Sequence, residues 1–261
     1  MKIGIIGGLG WIGSALGRAL IETGRVAPAD LVILKRGGGA GDYFGHAVSW
    51  AKDVADLVAR ADLIVVSVRP QDWPGLALDA RGKLVVSFMA GVALADLPPR
   101  TIRAMPNAAA EIRAGYTPWV AGPGVTEADR ATVRNILAAI GREDALEAEA
   151  HLDLMTALSG AGPAYPALMA RVMLDFLRAE GVAGLIAERA VEAVICDAAG
   201  LLRGRMDQAG ALVQSFVDYA GTTAAGLQTA EEHGFSAAIT AALAAATARA
   251  REMAAAQRAV R

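Results

Sequence analysis

The chain has 261 residues, 54% of them hydrophobic and 20% charged, with a formal net charge of −2 and a single cysteine, Cys196. That length allows one or two domains with a substantial core. The composition excludes a disordered chain, the weak charge gives no nucleic-acid-binding footprint, and one cysteine excludes an internal disulfide framework. Arg171, Asp175, Arg178, Glu192 and Asp197 interrupt the most apolar stretches, so no run reaches the roughly 18–20 residues of a membrane span. Met1-Lys2 runs straight into a strand and a glycine turn, which leaves no room for a signal peptide. The expectation is a cytoplasmic protein that binds neither nucleic acid nor membrane. Its alanine-rich, apolar C-terminal half should end in a subunit interface.

In chain order, residues 2–6, 30–34, 63–68, 83–88, 101–104 and 117–121 read as short buried strands with β-branched content. Residues 14–22, 53–60, 93–97 and 126–140 read as helices between them, the last opening on Thr126 and Asp129. Alternation of this kind predicts a parallel, doubly wound α/β sheet. From about Glu147 the strand signals stop. Residues 151–158, 164–180, 185–202, 207–219, 222–232 and 236–256 show helical spacing, punctuated by Gly181, Gly204, Gly210 and Gly234. The predicted organisation is a nucleotide-binding α/β domain of Rossmann type over 1–149 and an all-α C-terminal domain over 150–261.

The first strand is followed by Gly8-Leu9-Gly10-Trp11-Ile12-Gly13 and then a helix. In that context the glycine spacing reads as a dinucleotide-binding loop. Gly8 permits a tight turn, Gly10 lets backbone approach a pyrophosphate, and Gly13 lets helix pack on strand. Gly7 is one glycine more than the spacing needs. The second strand ends at Leu34-Lys35-Arg36, followed by Gly37-Gly38-Gly39. An NAD site wants a carboxylate there for the ribose 2′-hydroxyl, whereas two cations suit a 2′-phosphate. The reading is therefore NADP(H), with NAD(H) as the alternative cofactor and solvated loop charges as the bland one. Residues 37–45 are short for a full crossover helix.

Elsewhere the chain is poor in catalytic groups. His46, His151 and His233 lie far apart, with no carboxylate or cysteine at metal-ligand spacing, so surface or helix-end roles are expected and no metal site. Cys196, on an apolar helix face, reads as a core residue. Ser159 lacks the G-x-S-x-G elbow of a hydrolase and reads as a cap or turn residue. A nicotinamide must then supply the reaction, and hydride transfer to a C=N bond needs only alignment and a hydroxyl near the nitrogen. Thr222 and Thr223, after Gly221 and before a helix, are placed for that or for ordinary N-capping.

Several spaced segments together resemble the pyrroline-5-carboxylate reductase family: residues 8–16, 61–71, Met89-Ala90-Gly91-Val92, Arg103-Ala104-Met105-Pro106-Asn107, 121–125, 156–165, and 221–227 with Gly234-Phe235. Leu158-Ser159-Gly160-Ala161-Gly162-Pro163-Ala164-Tyr165 and the later Gly-Thr-Thr loop are the most specific of these. The resemblance implies a Rossmann domain followed by a helical dimerisation domain, in a homodimer or higher homo-oligomer. It implies NADPH-dependent reduction of 1-pyrroline-5-carboxylate to proline. Val68-Arg69-Pro70 and Met89-Ala90 would border the cofactor, and Pro106-Asn107 the nicotinamide. Asp218, Ala220, Gly221, Thr222 and Thr223 would form the substrate loop, with the Thr223 hydroxyl at the imine nitrogen. The chain departs from the family pattern at Ala161 for a serine, Ala108-Ala109 for Thr-Pro, and Asp218-Tyr219-Ala220 for Ser-Pro-Gly. A carboxylate at 218 would repel a substrate carboxylate unless it turns away or is neutralised. The alternatives are a divergent paralogue reducing another cyclic imine, and a non-catalytic nucleotide-binding regulator.

Overall fold

The computed structural model describes residues 1–259; the last two residues of the expected helical domain lie outside the described residues. The strands are β1 (Ile3–Ile6), β2 (Leu31–Leu34), β3 (Ser49–Trp50), β4 (Leu63–Val66), β5 (Leu84–Ser87), β6 (Thr101–Ala104), β7 (Gly115–Ala121) and β8 (Gly141–Ala145). They form one sheet in the order β3-β2-β1-β4-β5-β6-β7-β8, and β1, β2, β4 and β5 are buried at every residue. Strands covered on both faces have no solvent side, so they read as unbroken apolar runs.

The period of two sends alternate residues to opposite faces. Ile3, Ile5, Leu31, Ile33, Leu63 and Val65 join Ala15, Leu16, Ala19 and Leu20 of α1 (Trp11–Glu22) in one core. Ile6, Val32, Leu34, Ile64 and Val66 join Leu57 and Val58 of α2 (Val54–Arg60) in the other. Each fully buried large aliphatic side chain is worth about 1.5–3 kcal/mol. A Cβ at Gly4 would stand 2.6 Å from Leu57 Cδ2, so this glycine lets α2 close on the sheet.

Three expectations are corrected. The sheet is not wholly parallel, because β7 runs antiparallel to β6. The connection from β6 to β7, residues 105–114, carries only a 3-10 turn (Ala108–Ile112) and is shorter than the dozen or more residues a parallel crossover needs. The helix expected at 93–97 is a single 3-10 turn, Leu94–Asp96. Strands β3 and β8 lack the apolar run used to find the others: β3 has two residues, and β8 reads Gly-Arg-Glu-Asp-Ala at the sheet edge. The Thr126–Asp129 start does form. Asp129 N donates to Thr126 Oγ1 (3.2 Å) and Thr126 N to Asp129 Oδ2 (3.0 Å), opening α3 (Glu127–Leu137) with a reciprocal cap. Arg100 adds two bonds to the same carboxylate, at 3.0 and 2.7 Å, and holds the Asp129 carboxyl at about 2.

Beyond the sheet come α4 (Glu149–Met155), a π-helical turn (Thr156–Gly160), α5 (Ala164–Ala179), α6 (Gly184–Glu192), α7 (Ala209–Asp218), α8 (Thr222–Glu232) and α9 (Phe235–Ala259). The single helix expected over 185–202 breaks after α6 into a π-helical and then a 3-10 turn around Gly200. The chain divides into two compact units, one of residues 1–161 with the end of the chain from 245, the other of residues 162–244. In the first, Arg103 of β6 is 2% exposed and bonds Glu149 at 2.7 Å, with Asp153 at 3.5 Å, which fastens α4 to the sheet. In the second, Val172, Phe176, Leu185, Ile186, Val194 and Phe216 are exposed. Cys196, expected in a core, is exposed as well, because the helices of this unit leave an apolar face uncovered.

Candidate functional site

The strand order reverses direction between β1 and β4, the place where open α/β sheets form a crevice at their C-terminal ends. A cavity of about 540 Å³ lies there, lined by Gly7, Leu9 and Gly10 after β1, Leu34, Lys35 and Arg36 at the end of β2, Ser67, Val68, Arg69 and Asp72 after β4, and Leu76. The tight turn begins at Gly7 and closes where Gly10 N donates to the Gly7 carbonyl at 2.9 Å, with Gly8 inside it; its left-handed residue is Gly7. Gly7 has φ +83°, and a Cβ on it would lie 2.3 Å from the Ser67 carbonyl oxygen. Gly8 instead packs on Ile33, where a Cβ would come within 2.9 Å of Cδ1. A Cβ on Gly13 would lie 2.5 Å from the Gly7 oxygen, so Gly13 holds α1 against the turn.

Helix α1 starts at Gly10 with no side-chain cap and no acid in its first turn. Its leading N–H groups are left for an anion, and the helix dipole favours one there. Trp11 does not line the cavity; its Nε1 donates to Glu111 Oε2 at 3.0 Å. Ile12 packs on the core beneath α1. Together the uncapped helix start, the Cβ-free turn and the cations at the rim fit a dinucleotide's phosphates, with Leu34 and Leu76 as apolar surface for a base.

The rim charges are arranged differently from the sequence expectation. Lys35 Nζ donates to the Ala40 carbonyl (3.2 Å) and lies 5.6 Å from the Trp50 ring centroid, so it braces the glycine-rich segment. Arg36 Nη2 instead donates to Asp72 Oδ2 at 2.9 Å. Arg69 meets the same carboxylate through Nε–Oδ2 at 3.2 Å and Nη2–Oδ1 at 3.4 Å. The Arg69 guanidinium, with Arg36 beside it, holds the Asp72 carboxyl below its ordinary range. Asp72 escaped the sequence reading, although its spacing of three from Arg69 was a usable signal.

The other expected cofactor residues belong to the same unit without lining that cavity. Pro70 opens the 3-10 turn Pro70–Asp72. Met89 is buried against the second core, and Ala90 packs beside Met105, Val120 and Leu152. Pro106 and Asn107 are buried. Asn107 is held at both ends of its amide: Nδ2 donates to the Ser159 carbonyl at 2.7 Å, and Oδ1 accepts from Ala109 N at 3.0 Å. Ser159 Oγ donates to the Met155 carbonyl at 3.0 Å, a backbone role inside the π-helical turn.

The loop expected to hold the substrate lies in the second unit. Gly221 is the N-cap of α8 with no side-chain cap, so Thr222 and Thr223 follow as exposed first-turn residues that do not cap. Asp218 ends α7 and accepts from Gln214 Nε2 at 2.7 Å. Tyr219 N donates to the Ser215 carbonyl of α7 at 3.2 Å, a bond that proline could not make. Ala220 takes φ +55°, where the family pattern has glycine. His233 closes α8, its Nδ1 2.9 Å from the Thr229 oxygen. Among the described residues, no group of three His, Cys, Asp or Glu could hold a metal, and no helix is long and apolar enough to cross a membrane.

Known proteins share this organisation. Residues 2–91 match the family model for NADP oxidoreductase, coenzyme F420-dependent, and residues 149–253 match that for pyrroline-5-carboxylate reductase dimerisation. The pyrroline-5-carboxylate reductase of Mycobacterium tuberculosis H37Rv is 32% identical, over 97% of this chain and 96% of that protein. The Synechocystis reductase is 30% identical, over 97% and 98%. In fold, the Plasmodium falciparum pyrroline carboxylate reductase with NADP bound superposes with a TM-score of 0.87 at 22% identity, covering 97% of this chain and 98% of that one. The Coxiella burnetii enzyme gives 0.84 at 25% identity, with the same coverage. The dimerisation match and the uncovered apolar face make the C-terminal helices the contact surface of a homo-oligomer. From the cleft at the sheet's switch point to the Gly-Thr-Thr loop, the chain belongs to the pyrroline-5-carboxylate reductase family.

Proposed function

We propose that this chain reduces the C=N bond of 1-pyrroline-5-carboxylate to L-proline with NADPH, as a homo-oligomer in the cytoplasm. The observation that carries the reading is the cleft: a glycine turn, an uncapped helix start and two arginines meet at the switch point of a chain that matches these reductases almost end to end. The α1 N-terminus with Gly8, Gly10 and Gly13 around it would hold the pyrophosphate, and Arg36 and Arg69 the 2′-phosphate. NADPH supplies the hydride when bound.

The chain's own part is alignment. Met89-Ala90 and Pro106-Asn107 would border the nicotinamide, with Asn107 kept in place by Ser159 and Ala109. The first-turn N–H groups of α8, from Gly221 to Thr223, suit a carboxylate, and the Thr223 hydroxyl would orient the imine nitrogen. The nitrogen enters as an iminium or takes its proton from solvent. A second reading, another cyclic imine as substrate, is favoured by the carboxylate of Asp218 and the bulk of Tyr219 in this loop. Loss of NADPH absorbance with pyrroline-5-carboxylate, beside a panel of cyclic imines, tests both. Turnover of pyrroline-5-carboxylate at ordinary enzyme rates supports the first; turnover of another imine alone supports the second. Tight NADPH binding with no turnover of any imine would leave a nucleotide-binding regulator.

A further inference from the structure

The rim of the cleft joins opposite preferences in one cluster. Arg36 and Arg69 suit a 2′-phosphate, while Asp72 between them is the kind of group that suits a free 2′-hydroxyl. We propose that Asp72 sets how strongly the cleft prefers a 2′-phosphorylated dinucleotide over its unphosphorylated counterpart, by occupying the two arginines that the phosphate would use. The proposal rests on reading this cleft as the dinucleotide site.

The geometry fixes the direction of the effect. Asp72 Oδ2 accepts from both Arg36 Nη2 (2.9 Å) and Arg69 Nε (3.2 Å), and Oδ1 takes Arg69 Nη2 (3.4 Å). A phosphate reaching those same N–H groups must displace the carboxylate or stand beside it, anion against anion. A ribose hydroxyl has no such conflict, because it can donate to Asp72. Both effects lower discrimination in favour of the phosphate. Lys35 does not offset them from its own position, since it is turned to Ala40 and Trp50. The arginine side chains are 78% and 62% exposed and that of Asp72 32%, so the effect is screened by salt.

Adenosine 2′,5′-bisphosphate and 5′-AMP separate this from turnover, because each binds the cleft without a nicotinamide. Their affinities for wild type and Asp72→Asn are measured by titration calorimetry at low and high salt. Asparagine keeps the size and one acceptor and removes the charge. The ratio of affinities, bisphosphate over AMP, is expected to rise roughly fivefold at low salt, from the repulsion of two unit charges about 4 Å apart in water, and less at high salt. An unchanged or lower ratio in a variant with a wild-type melting curve would overturn the proposal, since Asp72 would then only position the arginines. Wild-type protein that binds neither nucleotide would overturn the dinucleotide reading itself.

Discussion

Replacing Asn107 by Asp tests whether the loop at 105–107 is held by the π-helical turn. In the native chain the amide Nδ2 faces the Ser159 carbonyl oxygen at 2.7 Å while Oδ1 takes Ala109 N–H. The carboxylate keeps the second bond and sets an anionic oxygen against a carbonyl oxygen in place of the first. The lost bond costs about 1 kcal/mol, and the unsatisfied buried acceptor about 1–3 kcal/mol more, so the variant should lose about 3 kcal/mol at pH 7. Protonating the new carboxyl restores a donor to Ser159, which makes protonation favourable in the folded state. A recovery of about 2–3 kcal/mol corresponds to a folded pKa of ~6 against ~3.9 unfolded. The sign follows: the penalty is full above pH ~6, shrinks as pH falls, and is nearly gone below pH ~4. Urea unfolding followed by tryptophan fluorescence measures it, since Trp11, Trp50, Trp73 and Trp119 all belong to the first unit. A variant as stable as wild type at pH 7, or a penalty that does not vary with pH, would refute the assignment of Nδ2 to the Ser159 carbonyl.

Asp129, held at about 2 against an ordinary 3.8 chiefly by Arg100, should contribute about 2 kcal/mol above pH ~4 that is lost as pH falls to ~2. Arg100→Gln should flatten that part of the acid unfolding profile. Ala220→Gly should raise stability by about 1 kcal/mol by removing the left-handed strain of an alanine at φ +55°, read by thermal melting with circular dichroism. Thr223→Ala should lower kcat by more than it weakens NADPH binding; equal turnover would remove Thr223 from the mechanism.

The sheet was legible where burial on both faces erased polar positions, as in Ile3–Ile6 or Leu63–Val66. It was illegible where hydrogen bonds alone define a strand, as in the charged edge of β8. The reversal at β7 depends on the length and conformation of the connection before it, which apolar periodicity does not encode. In the site, glycine spacing found the turn but not that its left-handed residue is Gly7, because only backbone angles separate Gly7 from Gly8. Lys35 and Arg36 looked equivalent in sequence. The structure gives them different partners, Ala40 and Asp72, one of which lies 36 residues away from its arginine. Long-range pairings of that kind, and the grip of Ser159 on Asn107, leave no local signature.

The last helix carries a consequence for how the chain is made. Gly91, with φ +71°, lies so close to it that a Cβ there would sit 3.0 Å from Met253 Cβ, and Ala250 and Ala254 are buried. The first unit thus takes residues from both sides of residues 162–244, which form the second unit between them. A nascent chain can lay down the sheet early. The packing at Gly91 is completed only once residue 253 has been made, so residues 162–244 are already present when the first unit closes.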